Sequence, residues 1–249
     1  MYIQQFTAKN YLVHRSTRVE LSPVTVFVGP NGGGKSSFFD AMLNFSMVAR
    51  GNIRQSFSQY PFSFAATRFH GTGRLGRIGF EVLMSTNKDA EPFAYKIDYA
   101  QQGPAEAGMP AFQIFNETLH SFADNKMVFD RSDPDSSLLK NAVKYLEHDR
   151  TIFAAIRAAN LAGEREDSRI TSEIAREISR FNRFRLIPFT LAGASRVPDM
   201  TGEASVALRL GHEGEDLAAC LYYMSETKDP ALECIVEKIR HLHPEFIGF

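Results

Sequence analysis

Gly29-Pro30-Asn31-Gly32-Gly33-Gly34-Lys35-Ser36-Ser37 is the stretch on which the fold turns. It satisfies the phosphate-loop pattern G-x-x-x-x-G-K-[ST] without a mismatch. Immediately before it, Val24-Thr25-Val26-Phe27-Val28 has the composition of a buried strand. Immediately after it, residues 37–45 (Ser-Phe-Phe-Asp-Ala-Met-Leu-Asn-Phe) read as a helix. Strand, glycine loop and helix are the setting in which the motif works.

The loop's chemistry follows from its residues. Gly29, Gly32, Gly33 and Gly34 allow the backbone to curl with its N–H groups inward, a concavity that suits an anion. A helix opening near Lys35 adds the positive end of its dipole. Lys35 is the candidate catalytic residue, within reach of β- and γ-phosphates, and the Ser36 hydroxyl is the candidate Mg²⁺ ligand. Pro30 and Asn31 complete the loop, and Ser37 is placed to add a donor to the α-phosphate.

Composition narrows the classes. The chain has 249 residues, 44% hydrophobic and 23% charged, as in an ordinary globular protein of one large or two small domains. A net charge of −1 gives no general attraction to nucleic acid or anionic membrane, although a local basic patch is compatible with it. Cys220 and Cys234 are too few for a disulfide framework or a zinc site, and both sit in apolar helical stretches that suggest buried packing. No apolar run is long enough to span a bilayer, and the N-terminus lacks a signal peptide's basic flank and apolar core. A cytoplasmic protein is expected.

The order of residues around the loop carries a family resemblance. A strand over residues 2–7, the run Lys9-Asn10-Tyr11, a short strand over 17–21, Pro23, the strand over 24–28 and then Gly-Pro-Asn-Gly-Gly-Gly-Lys-Ser-Ser resemble the N-terminal lobe of RecF- and SMC-like ATPases. These belong to the ABC-type branch of P-loop NTPases, whose heads are also grouped as AAA-type ATP-binding domains. The resemblance is sharp over about the first 45 residues. It implies an α/β P-loop fold with an antiparallel β-subdomain and a helical lobe. It also implies ATP and Mg²⁺ as cofactors and a head-to-head pair sandwiching two nucleotides.

Later segments are read from pattern. Residues 46–76 read as an irregular surface loop; alternatively, Arg68, Arg74 and Arg77 face nucleotide or a partner. Residues 78–84, 93–99 and 112–119 read as an antiparallel meander, with Phe93, Tyr95, Ile97 and Tyr99 on one face. In the family this subdomain holds the adenine side of the ligand. Residues 136–146, 151–159, 165–185, 215–224 and 231–242 read as helices, and 206–210 as a short strand. The 165–185 segment interleaves arginines with glutamates, which fits a solvated, ion-paired face better than a DNA-facing arm. His212 reads as structural. The resulting division is a nucleotide-binding lobe over 1–130 and a helical lobe over 131–249.

Two elements of a complete ABC-type site are not found in the sequence. No segment resembles the signature loop. The nearest approximations to Walker B fail: Arg131 follows Asp130 where Glu is needed, and Asn116 precedes Glu117 where Asp is needed. The chain is therefore expected to be the N-terminal portion of a longer ATPase rather than a self-standing binder, with poor hydrolysis alone and an exposed apolar sheet edge. The resemblance implies work in DNA repair or in anti-phage defence. The alternative is an ATP-gated regulatory module that controls an effector such as a nuclease or toxin without touching DNA. A small-nucleotide kinase is disfavoured by the Pro-Asn-Gly loop and the meander.

Overall fold

The computed structural model describes residues 2–51, 53–59, 63–73, 76–85, 90–102, 111–164, 174, 210 and 214–247. The chain falls into two compact units, Met1–Phe181 and Asn182–Phe249.

The first unit is built on one six-stranded sheet. Its strands are β1 (Tyr2–Tyr11), β2 (His14–Glu20), β3 (Ile78–Ser85), β4 (Phe93–Gln102), β5 (Ala111–Ser121) and β6 (Lys126–Asp130). They lie in the order β2-β1-β3-β4-β5-β6 with every neighbouring pair antiparallel. The alternation read in β4 holds: Phe93, Tyr95, Ile97 and Tyr99 are all buried, with half-buried residues between them. The meander is therefore as expected, extended by β6 at one edge.

Helix α1 (Lys35–Arg50) covers the inner face of this sheet. Its buried residues Phe38, Ala41, Phe45 and Val48 recur at helical spacing and form one apolar stripe. Phe6 of β1 meets Phe38, Phe45 and Phe80 at ring-centroid distances of 5.5, 5.7 and 5.7 Å. Such edge and tilted contacts fix α1 against β1 and β3 beyond simple area burial. The phosphate-loop motif is thereby attached to a rigid element at its C-terminal side.

The described residues of 46–76 form helical elements rather than an irregular surface loop. They contain the end of α1, α2 (Ile53–Gln59), α3 (Phe64–Thr67) and a 3-10 turn, His70–Thr72. Phe57 stacks on Phe112 at 5.3 Å, and Phe64 packs edge-on to the same ring at 5.7 Å. Phe64 thus belongs to the core, and Phe57 packs against it. Of the arginines in this region, Arg77 lies over the Phe115 ring at 3.9 Å, and Arg68 makes a β-bridge with Tyr11. Arg74 lies outside the described residues.

The helix read over 136–146 contracts to a 3-10 turn, Pro134–Ser136, and one turn of α-helix, α4 (Lys140–Val143). Ser137 explains the break: its hydroxyl donates to Val128 O (3.2 Å) and accepts from the Leu139 N–H (3.0 Å), competing with helical bonding. Helix α5 (Ile152–Leu161) forms as expected, with Thr151 as its N-cap accepting from the Ala154 N–H. In the second unit, α6 (Leu217–Glu226) and α7 (Pro230–Leu242) match the two helices read there. Cys220 is half-buried, but Cys234 is exposed rather than packed. Except for Ile174, Leu210 and Gly214, the candidate helix over 165–185 and the 199–214 stretch with His212 lie outside the described residues. No helix among the described residues is long and apolar enough to cross a membrane.

Candidate phosphate-binding site

Residues 24–28 depart most from expectation. They are not a strand: they pair with no other segment among the described residues, and Val24, Val26 and Val28 are 82%, 77% and 87% exposed. β-branched composition fits a pleated surface, but a strand exists only where a neighbour supplies the other half of its hydrogen bonds. The opposite side of the segment is anchored. Phe27 packs against Phe38 at 5.4 Å and Phe39 at 5.1 Å, and Thr25 and Phe27 help to line an open, largely apolar pocket with Ile3, Leu21 and Met42. Residues 24–28 therefore deliver the chain to the loop along α1, without a sheet of their own.

The loop itself follows as a tight turn. Gly32 and Gly34 have φ of +81° and +84°, which only glycine adopts without penalty. The Gly33 N–H donates to Pro30 O at 3.2 Å, closing the turn. Gly34 is the N-cap of α1, with no side-chain cap. The first helical bond runs from the Phe38 N–H to Gly34 O at 2.9 Å. The N–H groups of Lys35, Ser36 and Ser37 are thus first-turn donors that the helix cannot satisfy internally. Lys35 Nζ folds back over the turn and donates to Gly29 O (2.8 Å) and Pro30 O (2.7 Å). Asn31 and Ser36 are exposed.

These residues fit a nucleotide's phosphate tail. The donors are backbone N–H groups at a helix N-terminus and one ammonium, the chemistry an anion needs. A Cβ placed on Gly29 or Gly32 would meet nothing within 4 Å, so the rim of the turn is open to a ligand. Among the described residues there is no group of three or more His, Cys, Asp or Glu that could hold a metal ion. Mg²⁺ at a nucleotide is held by one or two protein oxygens together with phosphate oxygens and water. Ser36 is the residue that would hold it here. Lys35 would release its two carbonyls to meet phosphate.

The two failed Walker B approximations have other employment. Glu117, on β5, is fully buried. It accepts from Tyr95 Oη (2.6 Å), the Ile152 N–H (2.8 Å) and Arg131 Nη2 (2.7 Å) and Nε (3.1 Å). It ties β4, β5 and the start of α5 together. Burial and the adjacent Glu117 carboxylate push the Tyr95 phenol well above its ordinary pKa, so it stays a donor. Asp130 accepts from the Ser132 N–H and hydroxyl at 2.8 and 2.6 Å, a turn cap.

Behind the loop stands a residue that no motif in the sequence singles out. His14, the first residue of β2, is 8% exposed, and its Nε2 lies 3.2 Å from Gly34 O. The only hint in the sequence is a histidine just after the Lys-Asn-aromatic run; its partner is distant along the chain.

Residues 1–146 match the AAA ATPase domain family. No curated protein matches the chain. The family match reaches the level of AAA and P-loop ATPases and does not extend to RecF/SMC-like membership. With more than half of its length inside the match and a glycine loop, lysine and helix N-terminus in the arrangement described, the chain belongs to the AAA ATPase domain family, whose function is ATP binding.

Proposed function

We propose that the chain binds ATP·Mg²⁺ through residues 29–37 as part of a RecF/SMC-like, ABC-type ATPase head. One observation carries the reading: the open turn at the N-terminus of α1, with Lys35 Nζ folded over it on two exchangeable carbonyl contacts. In this reading Gly29, Pro30, Asn31, Gly32, Gly33 and Gly34 shape the cradle. The Lys35, Ser36 and Ser37 N–H groups bind phosphate oxygens, Lys35 Nζ neutralises β- and γ-phosphate charge, and the Ser36 hydroxyl holds the ion. Mg²⁺ supplies charge neutralisation at the phosphates when bound. Because Glu117 and Asp130 are committed to structural bonds, neither supplies the carboxylate that orients water. The chain alone is expected to hold nucleotide and turn it over slowly.

Work on DNA, in repair or in anti-phage defence, rests on the resemblance of the sequence around residues 9–37 to RecF- and SMC-like heads alone. The experiment that tests the binding site is amide hydrogen exchange with and without ATP·Mg²⁺. Protection confined to the turn and the first turn of α1 supports the reading. Unchanged exchange there at millimolar nucleotide sinks it. A salt series with duplex DNA then separates direct DNA work from the ATP-gated regulatory alternative. Affinity that falls steeply with salt favours phosphate contacts, and no binding at any salt favours the regulator.

A further inference from the structure

We propose that His14 is a positioning residue of the phosphate loop, one whose imidazole holds the Gly34 carbonyl from behind and thereby aims the Lys35 N–H toward the phosphate. The inference rests on the reading of residues 29–37 as a phosphate cradle and adds to it a residue outside the motif.

The geometry begins with the peptide unit. Gly34 C=O and Lys35 N–H belong to one planar trans amide, and there are no cis bonds among the described residues. The two groups must point in opposite directions. Whatever fixes the carbonyl therefore fixes the donor. Gly34 would otherwise be a permissive hinge, being a glycine at φ +84°. Its carbonyl instead has two partners, the Phe38 N–H at 2.9 Å along the helix and His14 Nε2 at 3.2 Å from the hairpin side.

The partners of the ring define its tautomer. A carbonyl oxygen can only accept, so Nε2 carries the hydrogen and donates to Gly34 O. Nδ1 is then the acceptor, and Thr17 Oγ1, 3.0 Å away, donates to it. Both ring nitrogens are satisfied in the neutral form. Burial lowers the ring's pKa, which agrees with a neutral imidazole.

Packing makes the contact a strut rather than a tether. A Cβ on Gly34 would lie 3.1 Å from His14 Cε1 and 3.1 Å from Val13 Cγ2, so the β1–β2 turn presses directly on this glycine. The ring also meets Phe38 edge-on at 5.9 Å. The turn in its own right is held elsewhere. The Leu12 N–H donates to Thr67 O at 2.6 Å, the Phe69 N–H donates to Asn10 O at 2.9 Å, and Tyr11 Oη donates to Asp40 O at 3.2 Å. A corner fixed on three sides can hold the carbonyl of Gly34 in one direction.

The test compares the full chain with His14→Phe, which keeps an aromatic ring against Phe38 but has no donor, and with His14→Gln, whose amide can donate to Gly34 O. Imidazole nitrogen NMR without nucleotide reads the tautomer, the Lys35 amide resonance reads the peptide orientation, and ATP·Mg²⁺ titration reads the consequence. The expected result is an Nε2–H tautomer in the native chain and a displaced Lys35 amide in His14→Phe. Binding should weaken about three- to tenfold in that variant, the scale of one hydrogen bond. His14→Gln should recover most of both. An Nδ1–H tautomer, or native-like Lys35 amide and affinity in a folded His14→Phe, would overturn the proposal. If His14→Phe does not fold, His14→Gln decides: near-native affinity with the native chain in the Nε2–H form supports the strut, and affinity lost with the fold intact refutes it. A native chain with the expected tautomer and amide shifts but no ATP binding would uphold the contact and sink the proposed function instead.

Discussion

At the scale of single residues, two positions concentrate the constraints. Gly34 has a positive φ and little room for a methyl group, which would lie 3.1 Å from both His14 Cε1 and Val13 Cγ2. Gly34→Ala should cost about 1–2 kcal/mol from the left-handed backbone alone. Urea unfolding measures that loss, and an unchanged midpoint would show that the turn can relax. His14 gives a pH signature. Its pKa is lowered from 6.5 in the folded chain by burial, while the bond to Gly34 O partly opposes the shift. The unfolded chain takes up this proton more readily, so the contribution is complete above about pH 6.5 and is lost as pH falls below that value. The native chain should therefore lose more stability between pH 7 and pH 5 than His14→Gln does. Equal slopes would contradict a neutral buried ring. The loop residues were legible from sequence because the motif is local, with its spacing dictated by one turn and one helix start. His14 was not, since its meaning lies in a carbonyl twenty residues on, and only tertiary packing joins them.

Elements show the same division between local pattern and long-range partner. Strand β4 and helix α1 were legible because each presents one apolar face at its own period, and each buries that face. Residues 24–28 carry a strand's composition without being one, because composition reports local preference, whereas a strand also requires a hydrogen-bonded neighbour. Lys126–Asp130, the nearest approximation to Walker B in the sequence, is instead the edge strand β6, whose exposed Lys126 and Met127 break any alternation. Helices α2 and α3 were hidden by their aromatics near Pro61, whose partner Phe112 is some fifty residues away. Two substitutions test this view of the elements. Glu117→Ala leaves the Arg131 guanidinium, the Tyr95 hydroxyl and the Ile152 N–H without their shared acceptor. It should cost about 3–5 kcal/mol, the scale of a broken buried pair, as read by chemical denaturation. Val26→Thr, on the exposed side of residues 24–28, should change stability by less than about 0.5 kcal/mol. A large loss from Val26→Thr would mean that this segment is covered.

On the scale of the whole molecule, the first unit is a frame that brings one turn to a fixed place. The sheet carries α1 through Phe6, Phe38 and Phe45, α1 carries the turn at its N-terminus, and the β1–β2 corner braces that turn from behind. The exposed valines before the loop and the open pocket beside them leave an apolar face next to the site. Such a face next to a binding turn favours association, so the chain should self-associate more readily than Val24→Lys/Val26→Lys, as read by sedimentation at increasing concentration. The central claim is that residues 29–37 grip a triphosphate. Calorimetric titration of ATP with Mg²⁺ into the native chain and into Lys35→Ala tests it most directly. The account predicts saturable binding in the native chain and a large loss of affinity in Lys35→Ala with an unchanged unfolding curve. Absence of heat with the native chain, or equal affinity in both, would contradict it.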